Sequence, residues 1–144
     1  MRKIKFRIWD QENKKFLDYD DEVEYSFGII FDDISVFEHD LINDDENEMD
    51  NVVIQQFTGL KDKNGKEIYE GDFVGLKFVK QKQEDVGIYQ VIYCDKAAAF
   101  RLKTIRKNHL AKNDKDCFNI GKYDKICVVV GNMFENEDLL IWKT

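Results

Sequence analysis

Proline is absent from the 144 residues, and cysteine, histidine and tryptophan are scarce at three, two and two. Without proline, one common blocker of sheet pairing is missing from every segment. Cys94, Cys117 and Cys127 cannot all pair within one chain and form no C-x-x-C unit, so reduced thiols are expected. Cys127, inside Ile126-Cys127-Val128-Val129-Val130, is expected to fill apolar interior. His39 stands in Glu38-His39-Asp40 and His109 follows Arg106, Lys107 and Asn108; without ligand spacing, structural or solvated roles are expected for both. No uninterrupted apolar run approaches the roughly 20 residues of a membrane span. Arg2, Lys3 and Lys5 precede no signal-type hydrophobic core, so a cytoplasmic location and no membrane partner are expected. G-x-G-x-x-G, G-x-x-x-x-G-K-[ST] and H-E-x-x-H are also missing, so no cofactor, no metal and no enzyme are expected.

What is present is uneven charge. Residues 1–57 carry 6 basic and 16 acidic side chains, a balance of -10, whereas residues 58–144 carry 16 and 13, a balance of +3. No Lys or Arg occurs from Phe16 through Leu60. That stretch reads as a solvated acidic surface, or as a docking face for a basic partner or for the chain's own basic half.

The hydrophobic pattern is that of strands. Ile4, Phe6 and Ile8 alternate with Lys3, Lys5 and Arg7, predicting an N-terminal hairpin that turns at Asp10–Asn13 with its basic residues in water and Trp9 at the core edge. Tyr25 through Phe31 has strand character, with Gly28 permitting a bulge or a close backbone approach. Asp40 through Asp50 reads as a loop with one local turn. Val52, Val53 and Ile54 recover strand propensity, and a compositional boundary falls near Phe57. Asn64-Gly65 predicts a tight hairpin reversal, and Glu70-Gly71 a second punctuation mark. Phe73 through Val79 and Val86 through Tyr93 follow as strands, and Ala97 through Leu110 as strand plus turn. Ile126 through Val130 reads as a buried strand, and Asn136 as the cap of a short terminal helix sealed by Trp142. The expected class is mainly β, with 1–57 a co-folded hairpin and acidic region and 58–144 a compact barrel that satisfies its strand edges by closing.

One basic cluster stands out: Arg101, Lys103, Arg106 and Lys107, with Phe100 beside them as a stacking ring if exposed. It is the candidate nucleic-acid-binding site.

The segments Ile4-Lys5-Phe6-Arg7-Ile8-Trp9-Asp10, Gln56 through Val74 with its Thr58-Gly59-Leu60-Lys61-Asp62-Lys63-Asn64-Gly65 core, and Val128 through Leu140 resemble the YopX-like protein family of phages and prophages. Phe57 and Met133-Phe134 replace the Tyr and Ile-Tyr of that pattern. The resemblance implies a C-terminal SH3-like β-barrel with an N-terminal β or α+β region, and it implies no reaction. The expected function is that of a non-enzymatic phage accessory or regulatory protein acting through contact with a host or phage protein, or as a homo-oligomer. The alternative is a nucleic-acid-binding regulator using the basic cluster.

Overall fold

A computed structural model describes residues 3–17, 23–30, 33–80, 83–106 and 117–140. The fold is mainly β, with several sheets, one curled into a half-barrel, and no α-helix among the described residues. The chain divides into two compact units: Phe6–Gln55, and Met1–Lys5 together with Gln56–Thr144. The residues ahead of Phe6 are grouped with the C-terminal unit.

Unit Phe6–Gln55 holds β1 (Phe6–Asp10), β2 (Lys15–Phe16), β3 (Val23–Ile30), β4 (Asp33–Asp40), β5 (Asp45–Glu48) and the start of β6 (Val52–Lys61). β1 and β2 form the expected hairpin, with Trp9 opposite Phe16 and their rings edge-on at 4.9 Å. The burial pattern differs from simple alternation: Ile8 and Trp9 are both buried, whereas Ile4 is exposed and Phe6 stacks on Phe27 at 5.3 Å. Arg7 does not simply face water. Its guanidinium lies 4.5 Å from the Phe16 ring centre, and its Nε donates to Gln55 Oε1 at 2.8 Å.

β3 and β4 pair without interruption from Val23–Asp40 to Ile30–Asp33, so Gly28 marks no bulge. Its missing side chain makes room for the Phe37 ring, which a Cβ would meet at 2.8 Å. The stretch read as a loop contains β5, which pairs Phe37–Asp40 with Asp45–Glu48. Four acidic or amide side chains have little intrinsic strand preference, and the ladder to β4 overrides that preference.

Without proline, side-chain oxygens set the turns. Asp10 Oδ1 accepts from the N–H groups of Glu12 and Asn13, both at 2.9 Å, and Asp40 Oδ1 does the same for Ile42 and Asn43 at 2.9 and 3.0 Å. In both turns the Asn amide donates to the other carboxylate oxygen at 2.7 Å, and the residue after it, Lys14 or Asp44, has positive φ. Such carboxylate-capped turns give the backbone donors partners that a sheet cannot supply at a reversal.

The second unit holds the rest of β6, then β7 (Glu67–Tyr69), β8 (Asp72–Lys80), β9 (Gln83–Cys94), β10 (Ala99–Arg106), β11 (Cys117–Asn119) and β12 (Cys127–Asn132). The antiparallel order β11-β10-β9-β8-β12 makes a five-stranded sheet. Ala97 through Arg106 is therefore short 3-10 turn and strand, while 107–110, like Trp142, lies outside the described residues. Ile68, Val74, Leu76, Val91, Leu102 and Cys127 form the solvent-free heart of this unit. Each of the Ile, Val and Leu side chains contributes roughly 1.5–3 kcal/mol by leaving water.

The reversal after β6 is capped by Asp62 as well as by Asn64-Gly65. Asp62 Oδ1 accepts from Asn64 and Lys66 at 2.8 and 2.9 Å, and its Oδ2 accepts from Val129 N–H at 3.0 Å. Gly65 has φ +83°, which a side chain would strain. Near the C-terminus the expected helix is a 3-10 turn, Glu137–Leu140. Asn136 accepts from Leu139 N–H with its backbone carbonyl at 3.0 Å, and its Oδ1 reaches back to Asn132 N–H at 3.1 Å across the space that Gly131 leaves open. No helix among the described residues is long and apolar enough to cross a membrane.

Candidate functional site

The basic cluster lies on β10, where strand alternation sorts it. Phe100 and Leu102 point into the core, Phe100 being only 8% exposed and edge-on to Tyr93 at 5.4 Å. Arg101, Lys103 and Arg106 have more exposed side chains, and the register shift between Thr104 and Arg106 keeps Arg106 from falling back into the core row. The condition for stacking on Phe100 is thus not met, because the ring and the neighbouring cation face opposite sides of one strand. Lys107 lies outside the described residues. Phe100 instead lines a cavity of about 350 Å³ with Gln56, Glu70, Tyr93, Ala98 and Ala99, beside Ala98 at φ +46°.

The more developed polar site is in the other unit, on one face of β3-β4-β5. A groove of about 380 Å³ is lined by Glu24, Ser26, His39, Asp40, Leu41, Asp44, Asp45 and Glu46. The register explains the grouping. Glu24 opposes His39 and His39 opposes Glu46, making one row across three strands, and Ser26 lies two positions along β3 on the same face. Ser26 Oγ is 2.7 Å from His39 Nε2, and His39 Nδ1 is 3.2 Å from Glu46 Oε2. The Asp40 turn closes one end. The Asn43 amide beside Asp40, followed by the N–H groups of Asn43 and Ile42, holds its carboxyl below the ordinary value.

His39, read from the sequence as structural or solvated, lines this groove with Ser26 Oγ and Glu46 Oε2 beside its two ring nitrogens. Sequence reading missed Ser26 and Glu46 as its partners. The pairing of β3 with β4 was the signal that would have found them, because it sets residues 26 and 39 on one face.

The YopX protein family model matches residues 5–141. The chain belongs to the YopX family. This YopX-family chain is also similar to a solved structure titled "Crystal structure of protein EF1440 from Enterococcus faecalis", at 25% sequence identity and a TM-score of 0.56, covering 97% of this chain and 99% of that one. No curated protein matches it.

Elsewhere, two ionisable groups are shifted by their surroundings. Burial pushes the Cys127 thiol up to about 11, with the Asp62 and Asp124 carboxylates adding to the effect, which suits a core residue and opposes a nucleophile. Glu67 is held below its ordinary value first by the Lys5 ammonium, 2.6 Å away, and also by the Tyr69 hydroxyl, which donates at 2.9 Å. Among the described residues no group of three or more His, Cys, Asp or Glu side chains is arranged to hold a metal ion.

Proposed function

We propose that this chain is a phage or prophage accessory or regulatory protein that works in the cytoplasm by binding another protein, and that its acidic β3-β4-β5 face takes a Lys/Arg-rich segment of that partner. The observation that carries the reading is the groove itself. Five carboxylate residues line it, and the sequence from Phe16 through Leu60 supplies no Lys or Arg to neutralise them. A cationic partner gains from that field in association rate and in selectivity against acidic competitors. Leu41 and Ile42, 55% and 67% exposed at the groove's turn, offer apolar contact beside the charge. The second unit is read, with the family, as an SH3-like barrel that serves as scaffold.

The test is fluorescence anisotropy with a labelled Lys/Arg-rich peptide and a Glu-rich peptide of equal length. Binding of the basic peptide alone, weakening with salt, is expected. Combining Glu24→Gln, Asp44→Asn and Asp45→Asn is expected to weaken it roughly tenfold. Equal binding of both peptides, or none at low salt, would overturn the reading. Light scattering on the free protein separates a foreign partner from a second copy of the chain.

Nucleic-acid binding is supported by one observation, the placement of Arg101 and Lys103 at alternate positions of β10, away from the Phe100–Leu102 row. It predicts salt-sensitive binding to duplex or single-stranded probes that is reduced by Arg101→Ala with Lys103→Ala and shows no dependence on Phe100 stacking.

A further inference from the structure

Both ring nitrogens of His39 are engaged. His39 Nδ1 lies 3.2 Å from Glu46 Oε2, and because a carboxylate oxygen only accepts, a hydrogen on Nδ1 is the one that faces it. In that tautomer Nε2 is the acceptor for the Ser26 hydroxyl, 2.7 Å away. This is the tautomer in which an imidazole can take a proton from a serine, while a carboxylate holds the ring in place. Burial does not enforce the arrangement. The His39 side chain is 28% exposed and lines an open groove of about 380 Å³, so the ring is not sealed away from water.

We propose that Ser26 is an acyl-accepting nucleophile, with His39 as its general base and Glu46 as the residue positioning the ring, and that it reacts with small carboxylic esters bearing a positive charge. Ser26 Oγ forms a bond to the ester carbonyl carbon as its proton passes to His39 Nε2. The ester C–O bond then breaks, and that proton leaves with the departing oxygen. Water next attacks the acyl-serine, gives a proton to Nε2, and the acid departs as Oγ is reprotonated. The charge preference follows from Glu24, Asp40, Asp44, Asp45 and Glu46 around the groove. The inference goes beyond the interface reading, and it departs from the expectation of a chain without chemistry.

The full chain is treated with 4-nitrophenyl esters of one length carrying a trimethylammonium, a neutral or a carboxylate end group. Nitrophenolate release is followed, and the acylated residue is mapped by mass spectrometry. One acyl group per chain on Ser26 is expected, with the cationic ester roughly tenfold faster than the anionic one. Ser26→Ala should lose the label, and His39→Gln should slow acylation about 100-fold. Glu46→Gln should lower the maximal acylation rate without changing the ester concentration that half-saturates it, and Glu46→Asp should restore part of that rate. If Ser26→Ala does not fold, Ser26→Cys replaces it and should carry the acyl group at residue 26. Absence of acylation, labelling confined to lysines or cysteines, or equal labelling of Ser26→Ala would overturn the proposal. Peptide binding is measured separately on the unmodified protein, so either idea can fail without the other.

Discussion

Asp40 and Asp62 each close a turn with a carboxylate, but they do so on different scales. Asp40 takes its donors from its own turn, Ile42 and Asn43, and is only partly buried. Asp62, 6% exposed, takes two donors from its turn and a third from Val129, 67 positions away, so one side chain fixes both a reversal and the approach of β12. The difference teaches that chemically alike turns carry unlike shares of stability. A donor set drawn from one turn fixes a loop, and one that crosses the sequence fixes a fold.

The strongest way to break the contrast is Asp62→Ala, which leaves backbone donors in a mostly buried place without partners. A loss of about 3 kcal/mol in urea unfolding is expected. Acid tests the same group. Burial raises the Asp62 carboxyl, but the N–H groups of Val129, Lys66 and Asn64, with the Lys66 charge, outweigh it and leave it below the ordinary 3.8. A lowered folded-state value means that its stabilisation is present above that ordinary value and is lost as pH falls through the folded one. Unfolding midpoints should therefore drop below about pH 4 in the parent, and less steeply in Asp62→Asn. Thiol alkylation gives a smaller signal. Cys127, wholly buried and pushed up to about 11, should react with iodoacetamide far more slowly than Cys94 or Cys117 until the unit unfolds. The smallest effect belongs to Asp40→Ala, which should speed hydrogen exchange at Ile42 and Asn43 while leaving the alkylation of Cys127 unchanged.

The local elements were legible because their signals are local. Asn64-Gly65 marks its own turn, and Val86 through Tyr93 and Ile126 through Val130 show β-branched and aromatic runs that became β9 and β12. Asp62 also sits in that turn, but nothing near it in sequence names Val129 as its third donor. The acidic β5 was hidden because Asp45-Glu46-Asn47-Glu48 has no apolar alternation, and only the ladder to β4 makes it a strand. Phe100 is a different lesson. Once Ala99 through Arg106 is taken as extended, alternation alone puts Phe100 and Arg101 on opposite faces, so the stacking role could have been set aside from sequence. Ser26, His39 and Glu46 required the register of three strands, and the β3–β4 reversal bears no glycine or asparagine to announce it. Family membership was legible from the family-like runs near both ends and in the middle, but the groove lies between them, in the stretch that those runs leave uncovered.

The chain holds no proline, and among the described residues the turns at Asp10, Asp40 and Asp62 are closed by carboxylates, with Asn13, Asn43 and Gly65 beside them. Its unfolded ensemble therefore lacks the slow imide isomers that delay many refolding reactions by tens of seconds. What is left to slow folding is non-local pairing, such as that of β12 with β8, where Val129 meets Val74.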